Sequence, residues 1–152
     1  MPTRYRRKGD QVYKTIVIGL DGSESANAAI PAAVELARLS GGSIVVAHVD
    51  ERIAAKGDMP SVRADEDEVK AAITAQAERI TADGVDARVE TASVVLGGPA
   101  HSIEEIADEA GADVIVVGAK GRSGIAGLLI GSVPDRLLHI AKRPVLVIPA
   151  AK

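Results

Sequence analysis

The sequence contains no cysteine, no tryptophan and no phenylalanine, and its aromatic residues are Tyr5 and Tyr13 alone. Without cysteine there are no disulfides, no thiolate metal sites and no thiol nucleophile, a composition that suits a reducing compartment, so a cytoplasmic location is expected. Without large aromatics the core must be built from the alanine, valine, isoleucine and leucine that make up most of the 47% apolar content. Long apolar runs are also missing. Val114 to Val117 is typical of what exists, far too short to cross a bilayer or to form the apolar stretch of a signal peptide. No membrane association is expected.

The excess of charge of one sign is small as well. A formal net charge of −3 over 152 residues argues against a general DNA-binding protein. Arg4, Arg6, Arg7 and Lys8 make the first residues locally basic, and residues 1–12 are expected to be a flexible, solvated tail ahead of one domain over 13–152.

Several motifs are missing too. There is no G-x-x-x-x-G-K-[ST], since Lys120 precedes Gly121, and no G-x-G-x-x-G follows the first β-branched run. Walker-type hydrolysis and a dinucleotide fold are thereby disfavoured. The nucleophile elbow G-x-S-x-G does not occur, and His48, His101 and His139 lack the partners that a base or ligand needs, so each is expected to be structural or exposed.

What is present is an alternation. Thr15 to Leu20, Ser43 to Val49, Asp113 to Gly118 and Pro144 to Ile148 are short β-branched runs that read as strands buried on both faces. Ala87 to Val95 mixes Arg88 and Glu90 with valines, as an edge strand with one wet face does. Helical patterns lie between. One follows Ser25 and stops at Gly41, with Pro31 inside it and expected to kink it. Another spans 66–82, with Val69, Ala72, Ile73, Ala77 and Ile80 on its apolar face and an acidic start, Asp65 to Glu68, that reads as a solvated first turn at the positive end of the dipole. A third runs from Pro99 to Gly111, burying Ile103, Ile106, Ala107 and Ala110. The last opens at Gly131-Ser132 and carries Val133, Leu137 and Ile140. Strands alternating with helices in this way predict an α/β fold: an open, doubly wound, five-stranded parallel sheet with helices on both faces. The irregular stretch from Asp50 to Ala64, at the carboxyl edge, is placed to act as a lid.

In such a sheet the ligand site lies beyond the carboxyl ends of the strands where strand order reverses. With the first strand central, the reversal falls between strands one and four. Strand one runs into Asp21-Gly-Ser-Glu-Ser25, strand four into Gly118-Ala-Lys-Gly121-Arg122-Ser-Gly124. Glycines at 118, 121, 124, 127 and 131 let backbone approach a ligand closely, and Ser132 then opens a helix whose free amides and dipole favour an anion such as phosphate. The same glycines could instead cap strand four, with Ser132 as a plain N-cap. Asp21 either holds a ribose hydroxyl or caps the helix that follows it. Arg122 is the best-placed cation beside the glycine loop.

Val17-Ile-Gly-Leu-Asp21-Gly-Ser-Glu24, His48-Val49, Gly98-Pro99 and Gly118-x-x-Gly121-(nine residues)-Gly131-Ser132-Val133 together closely resemble the universal stress protein family, over about Tyr13 to Pro149. The resemblance implies strand order 3-2-1-4-5 and the subgroup that binds ATP. It implies that Asp21 holds the ribose and that the backbone of Val49 meets the adenine edge. Gly118 would lie against the sugar, Gly121 would turn the chain under the phosphates, and Gly131, Ser132 and Val133 would bind them. Some relatives prefer cyclic AMP, so ATP, AMP and cyclic AMP all stand as ligands, with Mg2+ or Mn2+ carried on the phosphates. Pro134 departs from the many relatives that have a small polar residue there, and it removes one amide from the helix start. Relatives commonly form homodimers through the last strand, here Val145 to Ile148. The expected function is that of a nucleotide-binding regulator or sensor in the stress response. The alternatives are a slow nucleotide hydrolase or transferase using Asp21 or Ser23, and a dimeric interaction module with an empty site.

Overall fold

The structure, a computed structural model, describes residues 13–50, 66–94, 96–120 and 130–150. Five strands, β1 (Thr15–Gly19), β2 (Ser43–Asp50), β3 (Ala87–Ser93), β4 (Val114–Gly118) and β5 (Val145–Ile148), alternate with α1 (Glu24–Asn27), α2 (Ile30–Ser40), α3 (Glu66–Ala82), α4 (Pro99–Ala110) and α5 (Ser132–Ile140). All neighbouring strands are parallel, in the expected order β3-β2-β1-β4-β5.

Period-two alternation along the central strands sends side chains into two separate cores. Ile16, Ile18, Leu20, Ile44, Val46, Val114 and Val116 face α1, α2 and α3, whereas Val17, Val45, Ala47, Val49, Ile115 and Val117 face α4 and α5. Ile16, Val17 and Ile18 are wholly enclosed, and burying an aliphatic of that size contributes about 1.5–3 kcal/mol. Small alanines, Ala29 at the cap of α2, Ala33 and Ala37 within it and Ala107 of α4, are enclosed in the two cores beside the strand residues. As expected, α2 ends at Gly41 and α4 at Gly111, both in the left-handed conformation.

Four local readings change. The run Pro144 to Ile148, expected to be buried on both faces, supplies the edge strand β5 with Leu146 exposed, because the sheet ends there. Pro31 does not kink a single helix: the pattern after Ser25 divides into α1 and α2, with Pro31 in the first turn of α2. Ala28 and Ala29 keep right-handed backbone angles, but Pro31 has no amide to give to the Asn27 carbonyl, and the Ala29 amide bonds to Ala26 three residues back. Ala72 is exposed rather than part of the buried face of α3, which consists of Glu66, Val69, Ile73, Ala77 and Ile80. Ala110 is only partly buried, beside the core that Ile103, Ile106 and Ala107 enter. The expected lid, from residue 51 onward, and the basic tail, residues 1–12, lie outside the described residues.

A charged clamp joins the end of α4 to the connection between α5 and β5. Arg143 donates to the Ala107 and Ala112 carbonyls at 2.9 Å each, to Glu104 Oε1 at 3.0 Å and to Asp108 Oδ1, while Lys142 Nζ reaches Asp108 Oδ2. The hydrogen bond from Lys142, joined by the Arg143 guanidinium and opposed by partial burial, holds the Asp108 carboxyl below its ordinary pKa; the same bond to Asp108 holds Lys142 above its own.

Candidate nucleotide site at the carboxyl edge

Beyond β1 the chain is held tightly. The Leu20 amide donates to the Ala47 carbonyl at 3.0 Å, which carries β1 one residue further along β2. At Gly22 the backbone turns with φ +83°, a conformation that favours glycine. The Ser23 amide then donates to Asp21 Oδ1 at 2.9 Å, and Ser23 Oγ accepts from the Ala26 amide at 3.1 Å. Ser23 is therefore the cap of α1, and Asp21 shapes the turn before it.

The exit of β4 is packed against this turn. Gly118 lies under α1, and a Cβ there would fall 2.7 Å from the Ser25 carbonyl carbon and 3.1 Å from Ala26 Cα. Glycine at 118 is thus demanded by the passage of α1 over the strand. Two residues on, the Lys120 amide donates to Ser25 Oγ at 3.1 Å. The Ala119 amide bonds to the Ile148 carbonyl at 2.8 Å, and the Ala119 carbonyl accepts from the Gly131 amide at 2.6 Å, so the start of α5 is fastened directly to the end of β4.

Gly131, in an extended conformation, is the residue that caps α5, with no side-chain capping bond; Ser132 is the first helical residue rather than the cap. The Gly131 amide is already committed to Ala119, whereas Ser132 and Val133 stand in the first turn, where amides have no intrahelical partner. Pro134 occupies the third helical position and is buried. Ser132 is exposed, and Val133 packs against the core between α4 and α5. Gly121 and Arg122, with Gly124 and Gly127, lie outside the described residues.

β2 is longer than β1 and runs past its end. Pairing between them stops at Gly19 with Ala47, and the Ala47 carbonyl then takes the Leu20 amide. Backbone groups two residues apart in a strand point the same way. Those of Val49 therefore face the side where β1 has ended, while the Asp50 carbonyl, on the opposite side, accepts from Val94.

One pair at this edge is absent from the sequence reading. His48 is 1% exposed and Glu66 is 1% exposed. His48 Nδ1 donates to the Leu20 carbonyl at 3.0 Å, and Nε2 meets Glu66 Oε1 in a short hydrogen bond. Glu66, expected in a solvated first turn, is instead enclosed because it opens α3 directly over the end of β2. His48 shares the face of Ile44 and Val46 that α3 covers. Period-two counting from those residues was the signal that could have placed His48 inward. His101 and His139 bond through Nδ1 to the carbonyls of Gly97 and Asp135, each four residues back, as structural side chains do. Among the described residues no group of three or more histidines and carboxylates could hold a metal ion, and no helix is long and apolar enough to cross a membrane.

Residues 12–149 match the model of the universal stress protein family. The chain belongs to that family. A universal stress protein of Mycobacterium tuberculosis is 34% identical over 148 residues, covering 90% of this chain and 96% of the relative. Another, from Methanocaldococcus jannaschii, is 29% identical over 154 residues and covers 90% and 95%. Among solved structures, a universal stress family protein from Burkholderia pseudomallei superposes with a TM-score of 0.73 at 33% identity, covering 91% of this chain and 97% of that one. A universal stress protein in complex with cAMP gives 0.66 at 29% identity, with coverage of 91% and 98%. The family member from Archaeoglobus fulgidus in complex with dAMP gives 0.66 at 27%, with coverage of 90% and 98%.

Proposed function

We propose that this universal stress protein binds an adenine nucleotide across the β1–β4 switch point and serves as a regulator or sensor in the stress response. The observation that carries the reading is the bonding of three elements into one edge: the Asp21 turn, the β4 exit through Lys120 and Ser25, and the α5 start through Gly131 and Ala119. A carboxylate beside a turn suits a ribose hydroxyl, first-turn amides suit a phosphate, and the backbone of Val49 past the end of β1 suits the polar edge of adenine. Relatives of the same fold bind cAMP and dAMP.

In this arrangement Asp21 holds the ribose, Val49 the adenine edge, and Ser132 with Val133 the phosphates. Gly131 contributes by fixing the start of α5, because its own amide is engaged. Gly118 sets the close packing of α1 that forms the floor under the sugar. Gly121 and Arg122 complete the phosphate side. ATP is the leading ligand, with AMP and cyclic AMP as the alternatives that the first-turn proline at 134 favours by leaving fewer amides for a long phosphate chain. Mg2+ or Mn2+ would reach the protein through those phosphates. The protein acts by binding: the described histidines are engaged in structural bonds, which leaves Asp21 and Ser23 as the groups a hydrolase or transferase would have to use. A homodimer through β5 would cover Leu146, which is 41% exposed on the edge strand.

Mass spectrometry of small molecules released by denaturing the purified protein tests the reading. An adenylate at near one per chain is expected. An empty protein that also takes up no adenine nucleotide points to an interaction module instead.

A further inference from the structure

We infer that His48 and Glu66 are a positioning pair for the carboxyl-edge site, holding the end of β1 so that Asp21 and Val49 face one ligand. The inference rests on the proposed site for its ligand, but its geometry stands independently. His48 is the residue before Val49, and the carbonyl it grips belongs to Leu20, the residue before Asp21. One imidazole thus touches the backbone next to both groups assigned to the nucleoside.

The chemistry of the partners fixes the ring. A carbonyl only accepts, so Nδ1 carries a hydrogen, and one further hydrogen lies between Nε2 and Glu66 Oε1. Glu66 therefore sets the orientation of the ring, as carboxylates do behind histidines that hold a ligand or substrate in place. Glu66 Oε2 is buried and has no protein partner among the described residues. Enclosing a carboxyl with a single hydrogen bond is unfavourable, and its place as the first residue of α3 offsets that through the helix dipole. A plain apolar contact would serve packing better. What the pair adds is a directed hydrogen bond onto Leu20, whose amide is held by Ala47 on the other side. Both polar backbone groups of Leu20 are thereby anchored to β2, and the turn that begins at Asp21 leaves from a fixed point.

Three variants separate positioning from packing. His48→Asn keeps a donor at the position of Nδ1 but leaves a void. His48→Phe fills the space without a donor. Glu66→Gln retains a hydrogen bond to Nε2. Two readouts apply to each: amide hydrogen exchange at Leu20 and Ser23, which needs no ligand, and affinity for ATP and cyclic AMP by calorimetry, both well below the melting temperature. Positioning predicts that the His48→Asn and Glu66→Gln proteins stay within about threefold of the parent in both readouts. The His48→Phe protein is expected to exchange faster at Ser23 and to bind about tenfold more weakly, the effect of one lost hydrogen bond to a buried acceptor. Packing alone predicts the reverse order, with the His48→Asn protein worst, and that result overturns the inference, as does parental behaviour of the His48→Phe protein. If the parent binds neither nucleotide, the site assignment fails while the exchange data still decide the role of the pair.

Discussion

The amide of Lys120 donates to the hydroxyl of Ser25 at 3.1 Å, and this bond joins segments 95 residues apart in the chain at the point where the strand order reverses. It links α1, which follows the turn after β1, to the exit of β4 without passing through the sheet. Ser25→Ala removes the acceptor and leaves the Lys120 amide to find another. A loss of about 1 kcal/mol in chemical denaturation is expected, with faster hydrogen exchange at the Lys120 amide. Unchanged exchange there would mean that the bond does not hold the two segments together.

Gly118→Ala places a methyl group against the Ser25 carbonyl, backbone that has no rotamer to escape into. Overpacking of this kind destabilises by about 1–3 kcal/mol, and α1 must lift from β4 to relieve it. The comparison is Gly84→Ala, where φ is +92° but nothing lies within 4 Å of the new carbon, so only the backbone strain of roughly 1–2 kcal/mol remains. Urea midpoints for the two variants should differ, with the Gly118 variant lower.

The clamp around Arg143 ties α4 to the α5–β5 connection through two carbonyls and two carboxylates. Arg143→Met strands Glu104, whose Oε2 is already buried without a partner among the described residues. Breaking a buried pair by removing one member typically destabilises by about 3–5 kcal/mol. Thermal melting should show a large drop, and a Glu104→Gln change in the same background should recover part of it by removing the unpaired charge.

Lys142→Met gives a pH signature with a definite sign. The folded-state pKa of Asp108 is lowered, first by its bond to Lys142, so its contribution is present above the unfolded value, ~3.9, and is lost as pH falls through the folded value. Lys142 is raised, so its contribution is present below its unfolded value and is lost as pH rises through the folded one. Relative to the parent, the Lys142→Met protein should be less stable near neutrality, and the difference should shrink toward both strong acid and strong alkali. A difference that stays constant from about pH 2 to about pH 12 in denaturant melts would exclude the coupling.

Much of this architecture is legible in the residues because the fold repeats one rule. β-branched runs alternate with 3.6-period segments, and α3, read as 66–82 from Val69, Ala72, Ile73, Ala77 and Ile80, ends at Ala82 as read, with Ala72 the one position of the five that is not on the buried face. The central strands betray their double burial by unbroken aliphatic runs, Ile16 to Ile18, Ile44 to Ala47 and Val114 to Val117. Pro31 was harder: its missing amide was visible, but the division into two helices shows only in the Ala29 amide, which turns to the Ala26 carbonyl three residues back. Glu66 was invisible. An acidic residue in a first turn has a sufficient local explanation in the helix dipole, and only the placement of α3 over the end of β2, 18 residues away in the chain, encloses it with His48. The structure gives the cap of α1 to Ser23 and that of α5 to Gly131, so neither Asp21 nor Ser132 is the helix cap that the sequence also allowed.

The exposed edge of β5 should mediate self-association. Leu146→Lys puts a charge at the centre of the strand and is expected to convert a dimer to a monomer in sedimentation velocity at micromolar protein, with the fold retained. A monomeric mass for the parent protein excludes the homodimer outright.

Calorimetric titration of the ligand-free protein with ATP, AMP and cyclic AMP, repeated on the Asp21→Ala variant, tests the central claim most directly. The account predicts saturable heat at one nucleotide per chain for at least one of the three, weakened about tenfold or more in the variant by loss of the ribose bond. No heat with any of them, or equal affinity in the Asp21→Ala protein, would contradict a nucleotide site at the β1–β4 switch point.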